Sequence, residues 1–109
     1  MSGSQAVTLY MTFPDMDNAR QIAAALVEER LIACANILPA MVSVFRWEGK
    51  VEEQEEVAML AKTVAGRVAA IEAVLAERHP YAVPCLTVWP IADGHQPYLD
   101  WIGEETALA

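Results

Sequence analysis

Two cysteines, Cys34 and Cys85, are all that the 109 residues contain. They form no CxxC pair, so no disulfide framework is expected and a reducing, cytoplasmic setting fits best. Positive charge is scarce as well: seven Lys and Arg face fifteen Asp and Glu, for a net charge of −8. The basic residues are scattered from Arg20 to Arg78 and make no stripe. Such a chain repels phosphate, which argues against nucleic acid as a partner. No apolar run nears the roughly 18 residues that a membrane span requires, so no membrane insertion is expected. Met1-Ser2-Gly3-Ser4-Gln5 lacks the charged and apolar regions of a signal peptide, and residues 1–5 are expected to be a disordered lead-in.

Apolar side chains, by contrast, make up 55% of the residues against 20% charged. That balance predicts one packed domain, residues 1–109, and its apolar excess implies some surface buried in an oligomer. The patterning sets the order of elements. Val7, Leu9, Met11 and Phe13 alternate with Thr8, Tyr10 and Thr12, the period of a strand. Asp15 can cap a helix whose apolar face is Ala19, Ile22, Ala23, Leu26 and Val27, ending near Leu31. A long extended run follows from Cys34 to Trp47, with a bend or edge position expected at Pro39. Glu48-Gly49-Lys50 makes a tight turn in which Gly49 supplies a positive φ. The chain returns from Val51 to Thr63.

Thr63 is positioned to cap a second helix carrying Val64, Val68, Ile71 and Leu75, which stops at His79-Pro80. A last strand is expected from Val83 to Trp89, then a turn at Asp93-Gly94 and a short helix from Pro97 to Glu105. This order gives an α+β fold, a ferredoxin-like βαββαβ sandwich with an antiparallel sheet, a long central hairpin and a short C-terminal helix. The hairpin is too long for so small a sheet. Its extra length needs a partner, most naturally neighbouring subunits.

The joint His79-Pro80-Tyr81-Ala82-Val83-Pro84-Cys85 gathers an imidazole, a phenol and a thiol where a turn alone would serve. His79, Tyr81 and Cys85, with Cys34 or Met11, are a donor set suited to copper. The competing structural reading makes His79 a helix C-terminal residue and the cysteines small core residues. No His-x-x-x-His face supports the metal. No orienting group accompanies a Cys–His nucleophile pair, so no enzyme is expected. Glu48, Glu52, Glu53, Glu55 and Glu56 read as a solvated ribbon face that blocks edge-to-edge association, the alternative being a cation site with Glu53 and Glu55 on one side of the strand within reach of a common hard ion. His95 is expected to be exposed. Trp47, Trp89, Trp101 and Tyr98 are read as core or interface anchors. Lys62, on an otherwise apolar strand, suits an anionic ligand or a carboxylate such as Glu48.

Four segments carry a resemblance: Leu26-Val27-Glu28-Glu29-Arg30-Leu31-Ile32-Ala33-Cys34-Ala35-Asn36-Ile37, Arg46-Trp47-Glu48-Gly49-Lys50, Lys62-Thr63, and His79-Pro80-Tyr81 with Pro84. In this order, from about Val7 to Trp101, they resemble the divalent-cation tolerance (CutA) family. The resemblance implies a tight homotrimer with the ribbon pairing between subunits, similar to PII signalling proteins that bind effectors in intersubunit clefts. It also implies a role in tolerance of copper and other divalent metals. The family's cleft would gather Cys34, Asn36, Trp47, Lys62, His79 and Tyr81. Many relatives carry Glu where this chain has Cys85, and a thiolate there shifts preference towards softer ions such as copper(I). The alternative is a PII-like sensor holding a small anion at Lys62, Asn36 and Trp47.

Overall fold

The structure, a computed structural model, describes residues 1–107. Strand β1 (Ala6–Phe13) turns Val7, Leu9, Met11 and Phe13 fully inward. Helix α1 (Met16–Glu28) starts at Asp15, whose carboxylate accepts from the Asn18 amide at 2.8 Å. It ends earlier than Leu31. Arg30 takes a left-handed conformation (φ 60°), and the amides of Arg30 and Leu31 turn back to the carbonyls of Val27 and Leu26. This terminal wrap satisfies carbonyls that a longer helix would otherwise satisfy.

Strands β2 (Cys34–Trp47) and β3 (Lys50–Val64) form the hairpin. Its two-residue turn has positive φ at both Glu48 (49°) and Gly49 (82°), the twist-matched geometry for adjoining strands. After β3 a short 3-10 turn, Ala65–Arg67, leads into α2 (Val68–Arg78). Strand β4 (Leu86–Pro90) and helix α3 (Gln96–Glu105) complete the order. All neighbours are antiparallel in the order β2-β3-β1-β4. Apolar residues of α1 and α2 cover one face, where Ile22, Leu26, Ile71 and Leu75 meet the inward residues of β1 and β3. This is the ferredoxin-like arrangement that the order of elements implies.

Pro39 bends β2 as its chemistry requires. The register against β3 slips between Leu38 and Met41, and Ala40 sits at φ 52° on this edge strand. A Cβ there costs about 1 kcal/mol relative to glycine. Ala40→Gly is therefore expected to stabilise the exposed bulge by about that amount, read as an increase in the denaturation midpoint.

Several details differ from the sequence reading. Thr63 caps no helix: it pairs with Val7 inside the sheet, and its hydroxyl donates to the Leu31 carbonyl at 2.6 Å. Burial in the register between β1 and the end of α1 outweighs a capping role. β4 begins at Leu86 rather than Val83 because residues 80–85 wrap across the sheet end, with Pro84 offering no amide to pair. Residues 2–5 are held rather than disordered, since Gly66 and Ala65 donate backbone bonds at 2.9 Å to Gly3 and Gln5. Asp93-Gly94 lies in an irregular stretch, where the Asp93 carboxylate accepts from the Gly94 amide. None of the three tryptophans enters the core: Trp47, Trp89 and Trp101 are 43%, 48% and 36% exposed.

β1 pairs with β3 only from Val57 to Val64. Beyond that, residues 41–47 and 50–56 form a two-stranded ribbon that lengthens the molecule to 43 Å against 26 and 24 Å across.

Candidate functional site

The ribbon's register determines which side chains meet. Met41 opposes Glu56, Ser43 opposes Gln54, Phe45 opposes Glu52, and Trp47 opposes Lys50. Because side chains alternate across a strand, all of these share the face turned away from α1 and α2. The wall above them is the segment after α2. His79 ends that helix in an extended conformation (φ −72°, ψ 136°), as a residue before proline must. Between floor and wall lies a groove of about 530 Å³, lined by Phe45, Trp47, Glu52, Glu56, Tyr81 and Cys85 among others.

Hydrogen bonds lock the wall in place. The Tyr81 hydroxyl donates to Glu56 Oε2 at 2.6 Å and accepts from Gln54 Nε2 at 2.6 Å. Burial, then the bond to Glu56, pushes the Tyr81 phenol well above its ordinary value. Burial also raises Tyr10, with the nearby Cys85 and Glu56 adding to it. Glu56 itself is only 8% exposed. Among the described residues its other oxygen, Oε1, accepts no hydrogen bond, although it touches solvent.

His79 sits behind the groove, 7% exposed. Its Nε2 lies 2.8 Å from the Thr12 carbonyl and its Nδ1 accepts from the Tyr81 amide at 3.1 Å. The two bonds together define the Nε2–H tautomer, since a carbonyl only accepts and an amide only donates. The ring also stacks on Phe13 at 4.7 Å. A metal ion at His79 requires one of these bonds to be given up.

The remaining candidates separate into two groups. Trp47, Tyr81 and Cys85 line the groove. Cys34, Asn36 and Lys62 lie on the same sheet face but at its other end, where Cys34 pairs with Lys62 and Asn36 with Leu60. Six residues of β3 separate Lys62 from Glu56, roughly 20 Å. Glu48, at the ribbon tip, is about twice as far from Lys62. Cys34 instead meets Tyr98 of α3, Sγ to hydroxyl 3.4 Å. That bond, followed by burial, pushes the Tyr98 phenol up to about 12. Among the described residues no group of three or more His, Cys, Asp or Glu is close enough to hold a metal within one chain.

Two groove residues escape the sequence reading. Glu56 reads as one more solvated acid in its run, and Gln54 carries no signal of its own. Counting outward from the Glu48-Gly49 turn places both on the ribbon face, opposite Met41 and Ser43 respectively. Glu53 and Glu55 do share a face, the one opposite the groove.

A four-stranded antiparallel α+β subunit with a projecting ribbon and a groove at its base defines a class of small ferredoxin-like proteins. Comparison narrows the class. The CutA1 divalent ion tolerance protein family matches residues 7–105, and the chain belongs to that family. It is 45% identical to the divalent-cation tolerance protein CutA of Thermus thermophilus over 96 residues, 88% of this chain and 93% of that one. The solved structure of the divalent cation tolerance protein (Cut A1) from Thermus thermophilus aligns with a TM-score of 0.91 at 42% identity, covering 94% and 99% of the two chains. The structure named as the periplasmic divalent cation tolerance protein CutA of Archaeoglobus fulgidus aligns with a TM-score of 0.90 at 37% identity, covering 94% and 99%. No helix of the described residues is long and apolar enough to cross a membrane.

Proposed function

We propose that the chain is a cytoplasmic, homotrimeric metal-tolerance protein, a binding protein and not an enzyme, which holds copper in the groove beneath the ribbon. Cys85 supplies the thiolate and Glu56, which lines the same groove, a carboxylate; a neighbouring subunit completes the donor set. The observation that carries this reading is the convergence of Cys85 and Glu56 on one groove. Only one of the two donors, the thiolate, is soft, and a hard carboxylate adds little to a copper(I) site, so the site needs further soft donors from a second copy. The ribbon offers the means of assembly. Its edges are unpaired beyond β1, and Val42, Val44 and Val51 are 62%, 65% and 69% exposed there. A thiolate donor favours copper(I).

Anaerobic copper(I) titration against a competing chelator tests the assignment. Cys85→Ser, which removes a ligand and not merely an outer-shell partner, is expected to weaken binding by more than about 100-fold, the upper end of what outer-shell losses cost, while Cys34→Ser leaves it unchanged. Equal affinity in wild type and Cys85→Ser contradicts it. Light scattering on the same samples is expected to give three 11.9 kDa chains per particle; a stable monomer contradicts the assembly.

Lys62 supports a second reading, a small anion held at the far end of the sheet with Asn36. It is half-buried, and the ion pair found among the described residues is Arg30–Glu105. Thermal-shift screening of carboxylates and nucleotides against wild type and Lys62→Ala separates the two readings.

A further inference from the structure

Six residues of the chain are Asp or Asn, and only Asp93 precedes a glycine. The others sit in or at the start of regular structure: Asp15 caps α1, Asp17 and Asn18 lie in α1, Asn36 in β2 and Asp100 in α3. Asp93 and Gly94 lie between β4 and α3, outside both. There the Gly94 amide donates to the side chain of its own neighbour, Asp93 Oδ1, at 2.8 Å. Oδ1 is one bond from Cγ, so this contact holds the nitrogen near the separation from which bonds form, about 3–3.5 Å. Glycine leaves that nitrogen unhindered, since no Cβ stands beside it and its backbone turns freely.

We propose that Asp93-Gly94 is a site of spontaneous covalent modification, at which the main chain is rerouted through the Asp93 side chain as isoaspartate. The Gly94 nitrogen attacks Cγ of the carboxylic acid form. The N–Cγ bond forms, the amide proton and the carboxyl hydroxyl leave as water, and a cyclic imide closes. Water then reopens the ring. Addition at Cγ restores aspartate; addition at the Asp93 main-chain carbonyl breaks the original peptide bond and leaves the chain running through Cγ. One water leaves and one enters, and nothing is oxidised or reduced. The product lengthens the main chain by one carbon just before His95, whose carbonyl accepts from the Tyr98 and Leu99 amides at 3.0 and 3.1 Å as α3 begins. It also turns out a free α-carboxylate, the group that an isoaspartate-directed carboxyl methyltransferase recognises. All the reacting protein atoms belong to two adjacent residues, at the end of the sheet where Pro90 pairs with Val7, away from the groove. A neighbouring subunit supplies none of them, so the step depends on neither copper nor assembly.

The test ages the full chain in its native assembly, at physiological temperature in mildly acidic buffer, and then cuts it with Asp-N, an endoprotease that cleaves before aspartate but not before isoaspartate. Cleavage before Asp93 is expected to fade with time while cleavage before Asp100 persists. Isoaspartate, located by electron-transfer fragmentation and by enzymatic methyl labelling, is expected to form at Asp93 at least about tenfold faster than at Asp15, Asp17 or Asp100. Gly94→Ala crowds the attacking nitrogen and is expected to slow the reaction about tenfold; its Cβ meets Leu99 Cδ2 at 3.4 Å, an ordinary contact, so the fold accepts it. Asp93→Glu, which would have to close a larger ring, is expected to form no detectable rerouted product. Isoaspartate at Asp93 forming no faster than at Asp100, or at an unchanged rate in Gly94→Ala, overturns the proposal. Should Gly94→Ala fail to fold, the comparison of Asp93 with Asp100 in wild type decides alone.

Discussion

His79→Ala is expected to lower the stability of the metal-free protein by about 3–4 kcal/mol. The imidazole does three things at once. It donates to the Thr12 carbonyl, accepts from the Tyr81 amide and fills space against Phe13. The Thr12 carbonyl needs a donor from somewhere: pairing between β1 and β4 stops at Met11 and Leu86, one residue short of it. Removing the ring leaves a carbonyl and an amide unsatisfied in a largely dry environment, at about 1–3 kcal/mol each, and opens a cavity besides. Urea denaturation in the presence of a chelator measures the loss directly. A loss below about 1 kcal/mol in metal-free protein would mean that His79 is held for ligand binding and not for folding. Because Tyr81 hangs on His79, the same variant is expected to loosen the groove wall and weaken copper binding as a secondary effect.

Phe13→Ala is expected to cost about 3–5 kcal/mol, the range for removing a fully buried aromatic side chain. Phe13 is 0% exposed and closes the end of the core nearest the groove. Its loss and that of His79 will not add. The two rings stack, so a double-mutant cycle in urea is expected to show a coupling of about 0.5–1.5 kcal/mol. Strict additivity would mean that the stacked arrangement contributes nothing beyond area. This pair links the core to the site, since the ring that packs on Phe13 also fixes the backbone of Tyr81.

Much of the fold is legible because local chemistry and tertiary need coincide. The alternation from Val7 to Phe13, the Asp15 cap, the Glu48-Gly49 turn and the break at Pro39 each have one inexpensive solution, and the structure adopts it. Thr63 misleads because a hydroxyl serves as well in a strand as at a cap, and only the packing of Val7 and Leu31 around it decides between them. Residues 83–85 read as strand from their side chains, but the backbone there builds the groove wall.

The site is legible in part. The joint at His79–Cys85 announces itself by composition, and Tyr81, Cys85 and Trp47 do meet in one groove. The separation of Cys34 and Lys62 from them follows from strand order and register, which no local pattern encodes. The partnership of His79 with Thr12 spans 67 residues and exists because β4 is short. Glu56 is concealed by its neighbours: in a run of glutamates, only register shows which one faces inward.

The central claim is that copper is held at Cys85 in the groove beneath the ribbon. Anomalous scattering at the copper edge, from crystals grown anaerobically with copper(I), tests it most directly. The account predicts a single strong peak per groove at a metal–thiolate distance from Cys85 Sγ, roughly 2.3 Å, with the His79 bonds to Thr12 and Tyr81 intact. A peak at His79 or Cys34 with Cys85 bare would contradict it.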